Sequence, residues 1–186
     1  RAIVGKGWGQ GPQHSKSLHS WFAHLPGLRV AVPATAYDVK GLLMESILGE
    51  DPSIIIENRS LFSMKTHVPE DPYRVRFGQA CIFGKGTDLS IICIGVMVPV
   101  ALRVAAMLRE KDIRAQVVDL RSISPLDKER ICESVAQTRR FVVLDPGWES
   151  FGASGEIISV VCEELAGELE ANPLRVCFPN SHTPMS

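Results

Sequence analysis

Leu89-Ser-Ile-Ile-Cys-Ile-Gly-Val-Met-Val-Pro-Val-Ala-Leu-Arg-Val-Ala-Ala-Met-Leu108, followed by Ala115-Gln-Val-Val-Asp119, decides the architecture. Residues 89–94 are apolar with little alternation, the pattern of a strand covered on both faces. Gly95 then turns the chain into a helix with Pro99 in its first turn and Val98, Leu102, Ala105 and Leu108 along one stripe. A second β-branched strand at 115–119 completes a strand, helix, strand unit. Working outward, 80–83 reads as a preceding strand, Pro125-Leu-Asp127 caps a helix bearing Ile131 and Val135, and Phe141-Val-Val-Leu144 is another buried strand. Phe151-Gly-Ala-Ser-Gly155 leads into a helix with Ile157, Val160, Val161 and Leu165, and 174–178 is the last strand. This alternation predicts an α/β fold of three layers, a mostly parallel sheet between helices.

Upstream the same grammar starts again. Leu28-Arg-Val-Ala-Val32 reads as a strand closed by Pro33, a helix follows over 37–48, and Ser53-Ile-Ile-Ile-Glu57 is a second strand, which implies a right-handed crossover. Two strands cannot complete a sheet, so this first unit is expected to be cut at its beginning. Residues 58–79 carry Pro69, Pro72, mixed charges and no periodicity, the signature of a linker. The expected organisation is a first unit over 1–60, a linker over 61–79 and a second unit over 80–186.

Composition excludes several classes. The chain is 45% hydrophobic and 22% charged with a net charge of −1, so neither a nucleic-acid nor a membrane-surface partner is indicated. No apolar run approaches the ~20 residues of a membrane span, which points to a cytoplasmic protein, or one of the mitochondrial matrix in a eukaryote. Cys81, Cys93, Cys132, Cys162 and Cys177 are dispersed with no C-x-x-C pair, and read as reduced thiols without a role. Charge is segregated: residues 1–37 hold four bases and no acid, and 141–174 hold seven acids and no base. Such a split is usually that of two solvated faces, and it also permits an anionic ligand near the first stretch and a basic partner near the second.

The chemistry-bearing stretch is the start. Gly5, Gly7, Gly9 and Gly11 form a loop that permits close backbone approach and delivers His14 just ahead of a helix. That helix is expected to present Leu18, Trp21, Phe22 and Leu25 as its apolar stripe, with Ser15 or Ser17 as cap and Pro26-Gly27 as stop. His14, His19 and His24 recur every five residues, about 140° of turn, so they share no face and make no zinc set. Gln10 breaks any dinucleotide fingerprint, Gly84-Lys85-Gly86 is no P-loop, and Ser15 lies in no G-x-S-x-G elbow. On the residues alone His14 is either a structural hydrogen-bonder or a catalytic imidazole.

Longer motifs carry a resemblance. Gly11-Pro-Gln-His-Ser15, Leu18-x-x-Trp-Phe-x-His-x-Pro-Gly-Leu-x-Val30 and Pro33-Ala-x-x-Tyr-Asp-x-Lys-Gly-Leu-Leu43 are similar to the β subunit of thiamine-diphosphate-dependent 2-oxoacid dehydrogenases, the pyruvate, branched-chain and acetoin type, within the wider transketolase-like family. Asp119-Leu-Arg-Ser-Ile-Ser-Pro-Leu-Asp127, Gly147-Trp-x-x-Phe-Gly-Ala-x-x-Glu-Ile157 and Thr183-Pro184 extend it to nearly the whole chain. Arg76-Phe-Gly and Asp145-Pro-Gly147 depart from the usual pattern. The resemblance implies part of a pyrimidine-binding domain followed by a transketolase C-terminal-type domain.

It also implies the chemistry. In that family the cofactor lies between subunits, with an α chain holding the diphosphate and Mg²⁺ and the first β domain holding the aminopyrimidine. A glutamate early in that domain activates the ring, and no residue here matches it. His14 matches the family's active-site histidine, and an imidazole with an ordinary pKa of roughly 6.5 suits hydrogen bonding to a substrate and proton movement. No cofactor-binding side chain is assigned here. K⁺ binding through backbone carbonyls corresponds to the stretch with Ser46, Gly49 and Asp51, for which a plain helix end is the simpler reading. The implied partners are the α subunit, a second β subunit and the acyltransferase core; the acidic run with Glu163, Glu164, Glu168 and Glu170 suits contact with a basic segment of the last, and a solvated helix end explains the same residues equally well. Two other readings stay open: a transketolase or deoxyxylulose-phosphate synthase-like two-carbon transferase, and an assembly module without chemistry.

Overall fold

In the computed structural model, which describes residues 1–5 and 10–184, the apolar strands assemble into two sheets. The first contains β1 (Ala2–Val4), β2 (Arg29–Ala31), β3 (Ser53–Asn58) and β7 (Ser122–Ser124) in the order β1-β3-β2-β7. The second contains β4 (Cys81–Phe83), β5 (Leu89–Cys93), β6 (Ala115–Asp119), β8 (Phe141–Trp148) and β9 (Leu174–Phe178) in the order β4-β6-β5-β8-β9. β5, β6, β8 and β9 are parallel neighbours and β4 is an antiparallel edge, so the sheet is mostly parallel as the sequence predicts.

Residue alternation shows how the layers are built. Ile92, Val118 and Val143 face Ile131 and Val135 of α5 (Lys128–Thr138) and Ile157 and Val161 of α6 (Ala153–Leu165), all in one core with Val30 and Ile56 of the first sheet. Their neighbours Ile91, Cys93 and Val117 point the other way, onto Val98 and Ala101 of α4 (Met97–Arg109). Helices therefore cover both faces of the second sheet. Within α4 the buried row is Val98 and Ala101 with Ala105 and Leu108 against it; Leu102, expected in the stripe, is exposed, because the row follows i, i+3, i+7, i+10. Asp127 caps α5 as expected, its Oδ1 accepting from Arg130 N at 3.1 Å, and its Oδ2 accepts from Ala80 N at 2.7 Å.

The first sheet is finished by the second half of the chain. β2 and β3 are parallel neighbours around α3 (Ala36–Leu48), as the crossover requires, with Thr35 as N-cap accepting from Asp38 N at 3.1 Å. β1 lies on the outer side of β3, and β7 pairs antiparallel with β2. Neither three-residue strand is expected from sequence. At the crossing, the buried Asp38 pairs with Arg121 at 2.8 Å, while Asp119 accepts from Arg121 N at 3.0 Å and keeps its second oxygen without a partner.

The stretch 61–79 is fastened rather than loose. Val75 and Phe77 are buried with Ala31, Leu42 and Ile55, and Tyr73 stacks on Tyr37 with ring centroids 4.5 Å apart. Lys40 Nζ donates to the carbonyls of Pro69, Glu70 and Asp71. Gly41 makes this contact feasible: a methyl group there would stand 2.9 Å from Val75 Cβ and 3.0 Å from Tyr73 Cε2.

Gly41→Ala is expected to lower stability by about 1–2 kcal/mol in urea titration, overpacking outweighing the gain in helix propensity of roughly 1 kcal/mol. An unchanged or raised midpoint would contradict the close packing. Burial pushes the Asp119 carboxyl up to about 7, against the lowering effect of the Arg121 amide. A folded-state pKa above the unfolded value means the folded state binds the extra proton, so stability falls as pH rises from about 4 to about 7. Asp119→Asn keeps the acceptor for Arg121 N and is expected to flatten that slope in thermal melts across the range.

Candidate functional site

The start of the chain lies along the seam between the two sheets. α1 (Gly11–His14) is a single turn ending at His14, and α2 (His19–Ala23) begins five residues later. His14 therefore ends a short helix instead of sitting in a loop directly before a longer one. Its imidazole is exposed while its carbonyl accepts from Arg59 Nη1 at 2.7 Å, and the same nitrogen donates to the carbonyl of Gly5 at 3.2 Å. Gly5 has φ +90° and its Cα faces the Asn58 side chain too closely for any Cβ. Gly11 also has positive φ; Gly7 and Gly9 of the expected glycine loop lie outside the described residues.

Neither serine caps α2. Its N-cap position is Leu18, with no side-chain cap; Ser15 is buried with its hydroxyl unmatched, and Ser17 lines a cavity. The expected apolar stripe also divides: Phe22 packs on the shared core, while Trp21 is 71% and Leu25 51% exposed. The inward face of α2 is led by His19, a polar residue that is fully buried, and this rotates Trp21 outward. Trp21 borders an open groove of about 1150 Å³ that also includes the fully exposed Phe151.

Beside His14 a cavity of about 360 Å³ opens between the sheets, lined by Ser15, Ser17, Asn58, Asp145, Trp148 and Cys177 among others. Asp145 is the carboxylate among its lining residues, and Glu57, next to the lining residue Asn58, borders a separate cavity with Thr35 and Lys40; both carboxylates are engaged. Glu57 takes a bidentate pair from Arg1 at 2.5 and 2.8 Å. Asp145 Oδ1 accepts from His19 Nε2 at 2.9 Å and from Gly147 N at 2.7 Å, and its Oδ2 accepts from Ser154 N at 3.0 Å. Burial acts to raise the Asp145 carboxyl, but the hydrogen bond and charge of His19 with the two amides outweigh it, so it titrates below its usual range.

The remaining candidates are dispersed. His24 is exposed at the end of α2, so the three histidines indeed share no face. Ser46 Oγ donates to the Leu42 carbonyl at 2.8 Å and Asp51 pairs with Arg29, so neither side chain is gathered toward a cation in that stretch. Among the described residues no group of three or more His, Cys, Asp or Glu is assembled for a metal. Glu170 is held by Arg139 at 3.5 Å and Arg140 at 2.5 Å, whereas Glu163, Glu164 and Glu168 face solvent. The five cysteines are free. Among the described residues no helix is long and apolar enough to cross a membrane.

Sequence reasoning missed Arg59 and the His19–Asp145 pair. Arg59 acts through main-chain contacts, which leave no motif; the pair had one trace, the unusual Asp145-Pro-Gly.

Comparison with known proteins gives matches along both halves. Residues 78–186 match the transketolase C-terminal domain and residues 4–65 the transketolase pyrimidine-binding domain. The chain is 41% identical over its 186 residues to the acetoin:2,6-dichlorophenolindophenol oxidoreductase subunit beta of Cupriavidus necator, covering 100% of this chain and 55% of that protein. It is 38% identical over 174 residues to the pyruvate dehydrogenase E1 component subunit beta of Bacillus subtilis, covering 93% and 54%. A solved split-gene transketolase, described as an inactive beta4 tetramer, superposes with a TM-score of 0.74 at 27% identity over 91% of this chain and 54% of that one. The chain spans about half the length of the curated relatives it matches.

The site geometry makes Arg59 the anchor of the His14 main chain. Arg59→Met, which keeps the bulk and loses the charged donors, is expected to speed amide exchange at residues 11–17 by about tenfold or more, the loss of hydrogen bonds from a charged group being worth about 1.5–3 kcal/mol. Unchanged exchange there would mean the segment is fixed by other contacts.

Proposed function

The chain belongs to the transketolase family, and we propose that within it the chain forms part of the β subunit of a thiamine-diphosphate-dependent dehydrogenase acting on a 2-oxo acid or acetoin. The observation that carries this reading is an exposed imidazole on a fixed main chain: His14 presents its side chain while Arg59 holds its carbonyl and the next residue is buried beside the cavity. An exposed ring on an immobilised backbone suits a group that must meet a substrate at one place.

The described residues do not by themselves fit thiamine diphosphate. Glu57 is occupied by Arg1 and Asp145 by His19 and two amides, so neither offers a free carboxylate to a ring nitrogen or to Mg²⁺. Ligands for the diphosphate, the metal and the aminopyrimidine then come from an α partner and from parts of the relatives' length that this chain does not span. When bound, the cofactor supplies carbanion chemistry at the substrate's carbonyl carbon. The share of this chain is His14, which hydrogen-bonds a substrate oxygen and holds or passes a proton there. The α subunit is the partner that the name of the β-subunit relatives implies. A second β subunit completes the assembly, and the solvent-facing Glu163, Glu164 and Glu168 are the groups left to meet a basic acyltransferase segment, since Glu170 is taken by two arginines.

The split-gene transketolase supports a second reading, transfer of two-carbon units between sugars. Its existence also means that two separate chains do not distinguish a dehydrogenase from a transketolase. Substrate does. The full-length β chain, co-expressed with its α partner, is expected to turn over pyruvate, a branched 2-oxo acid or acetoin with thiamine diphosphate. His14→Ala is expected to lower that rate by about 10²–10⁴-fold with assembly intact, the usual worth of a positioned acid–base group. Turnover of a ketose phosphate instead would favour the transketolase reading, and an unaffected rate in His14→Ala would remove His14 from the chemistry.

A further inference from the structure

The segment that carries His14 has a second support, on the far side of the seam. Arg59, just after β3, grips the His14 carbonyl from the first sheet. Five residues later His19 is fully buried and bonds Asp145 at the end of the second sheet's central run. Ser20 adds to it: its Oγ accepts from Ala153 N at 3.0 Å. Asp145 Oδ2 accepts from the next amide, Ser154 N. The first turn of α6, which has no cap from its own Gly152, is thus capped by Ser20 from α2 and by Asp145, which also holds His19 of α2. The space around the ring is closely fitted. A methyl group at Gly147 would lie 3.0 Å from His19 Cε1 and 3.2 Å from Nε2. The Asp145-Pro-Gly departure in the sequence and the buried His19 are therefore two halves of one contact.

We propose that His19, held by Asp145, is a positioning residue that sets the His14 imidazole from the second sheet, so that residues 11–19 form a strap stretched between two posts, Arg59 and Asp145. Both side chains are buried and engaged with each other, and the effect of the pair on the reaction passes through the main chain between His19 and His14. This rests on the reading that His14 acts in the site.

The test uses the full-length β chain assembled with its α partner. His19→Leu removes the donor, His19→Gln keeps an N–H at a similar reach, and Gly147→Ala displaces the ring without deleting it. Hydrogen–deuterium exchange at residues 11–18, exchange over the rest of the chain, kcat and KM are measured for each. His19→Leu is expected to raise exchange at 11–18 and lower kcat by about 10- to 100-fold, the scale of a misplacement near 1 Å, with KM changed less than about twofold. His19→Gln is expected to recover most of both. Gly147→Ala is expected to reproduce the loss, and it decides the matter if the leucine variant does not assemble. Exchange at 11–18 unchanged in both disruptive variants overturns the proposal. So does a rise spread evenly along the chain, or a glutamine variant as impaired as leucine, since each describes a structural role only. If the wild-type assembly turns over no 2-oxo acid or acetoin, the functional reading fails while the exchange pattern still decides the strap.

Discussion

The buried Asp145 carboxylate is the point on which the seam depends. It takes three N–H donors, from His19, Gly147 and Ser154, and so ties the second half of β8, the first turn of α6 and the start of α2 into one knot. A buried charge is tolerable only when its oxygens are satisfied, and removing one partner of such a pair costs several kcal/mol because the other remains behind. The elements that meet there are thereby held to one mutual placement. Hydrophobic burial cannot do this, since it fixes how much surface meets and leaves direction open.

That division of labour runs through the molecule. A shared apolar core, from Val30 and Ile56 to Ile92, Val118 and Val143, joins the two sheets without a preferred sliding position. Directional contacts supply the register: Asp38 with Arg121, Asp127 with Ala80 N, Arg59 with the carbonyls of Gly5 and His14. β7 adds a mechanical version of the same constraint, because a strand from the second half of the chain closes the first sheet. The His14 segment is held by two such contacts, Arg59 at His14 and Asp145 at His19, and its imidazole stays at the surface.

What could be read from sequence follows the same line. The long β-branched runs at 53–57, 89–93 and 141–144 and the rows Ile131/Val135 and Ile157/Val161 announce themselves by periodicity, and each stands where expected. β1 and β7 do not, because three residues carry no period and become strands only through the partners they meet. His19 was illegible for a different reason: a histidine is read as outward-facing, and only Asp145, distant in sequence, makes its burial acceptable. The same error turned Trp21 inward in the sequence reading, when the structure leaves it 71% exposed. Gly-Pro-Gln-His-Ser makes His14 a candidate by its neighbours, whereas Arg59, which holds the His14 main chain, leaves no motif.

On the reading proposed above, a strap anchored on both sheets holds His14 at a substrate. A structure of the α–β assembly with thiamine diphosphate and a non-reacting 2-oxo acid analogue tests it most directly. The His14 imidazole is expected within hydrogen-bond reach of an analogue oxygen, about 2.6–3.2 Å, with the Arg59 and Asp145 contacts intact. An imidazole turned away from the analogue while both contacts persist would contradict it.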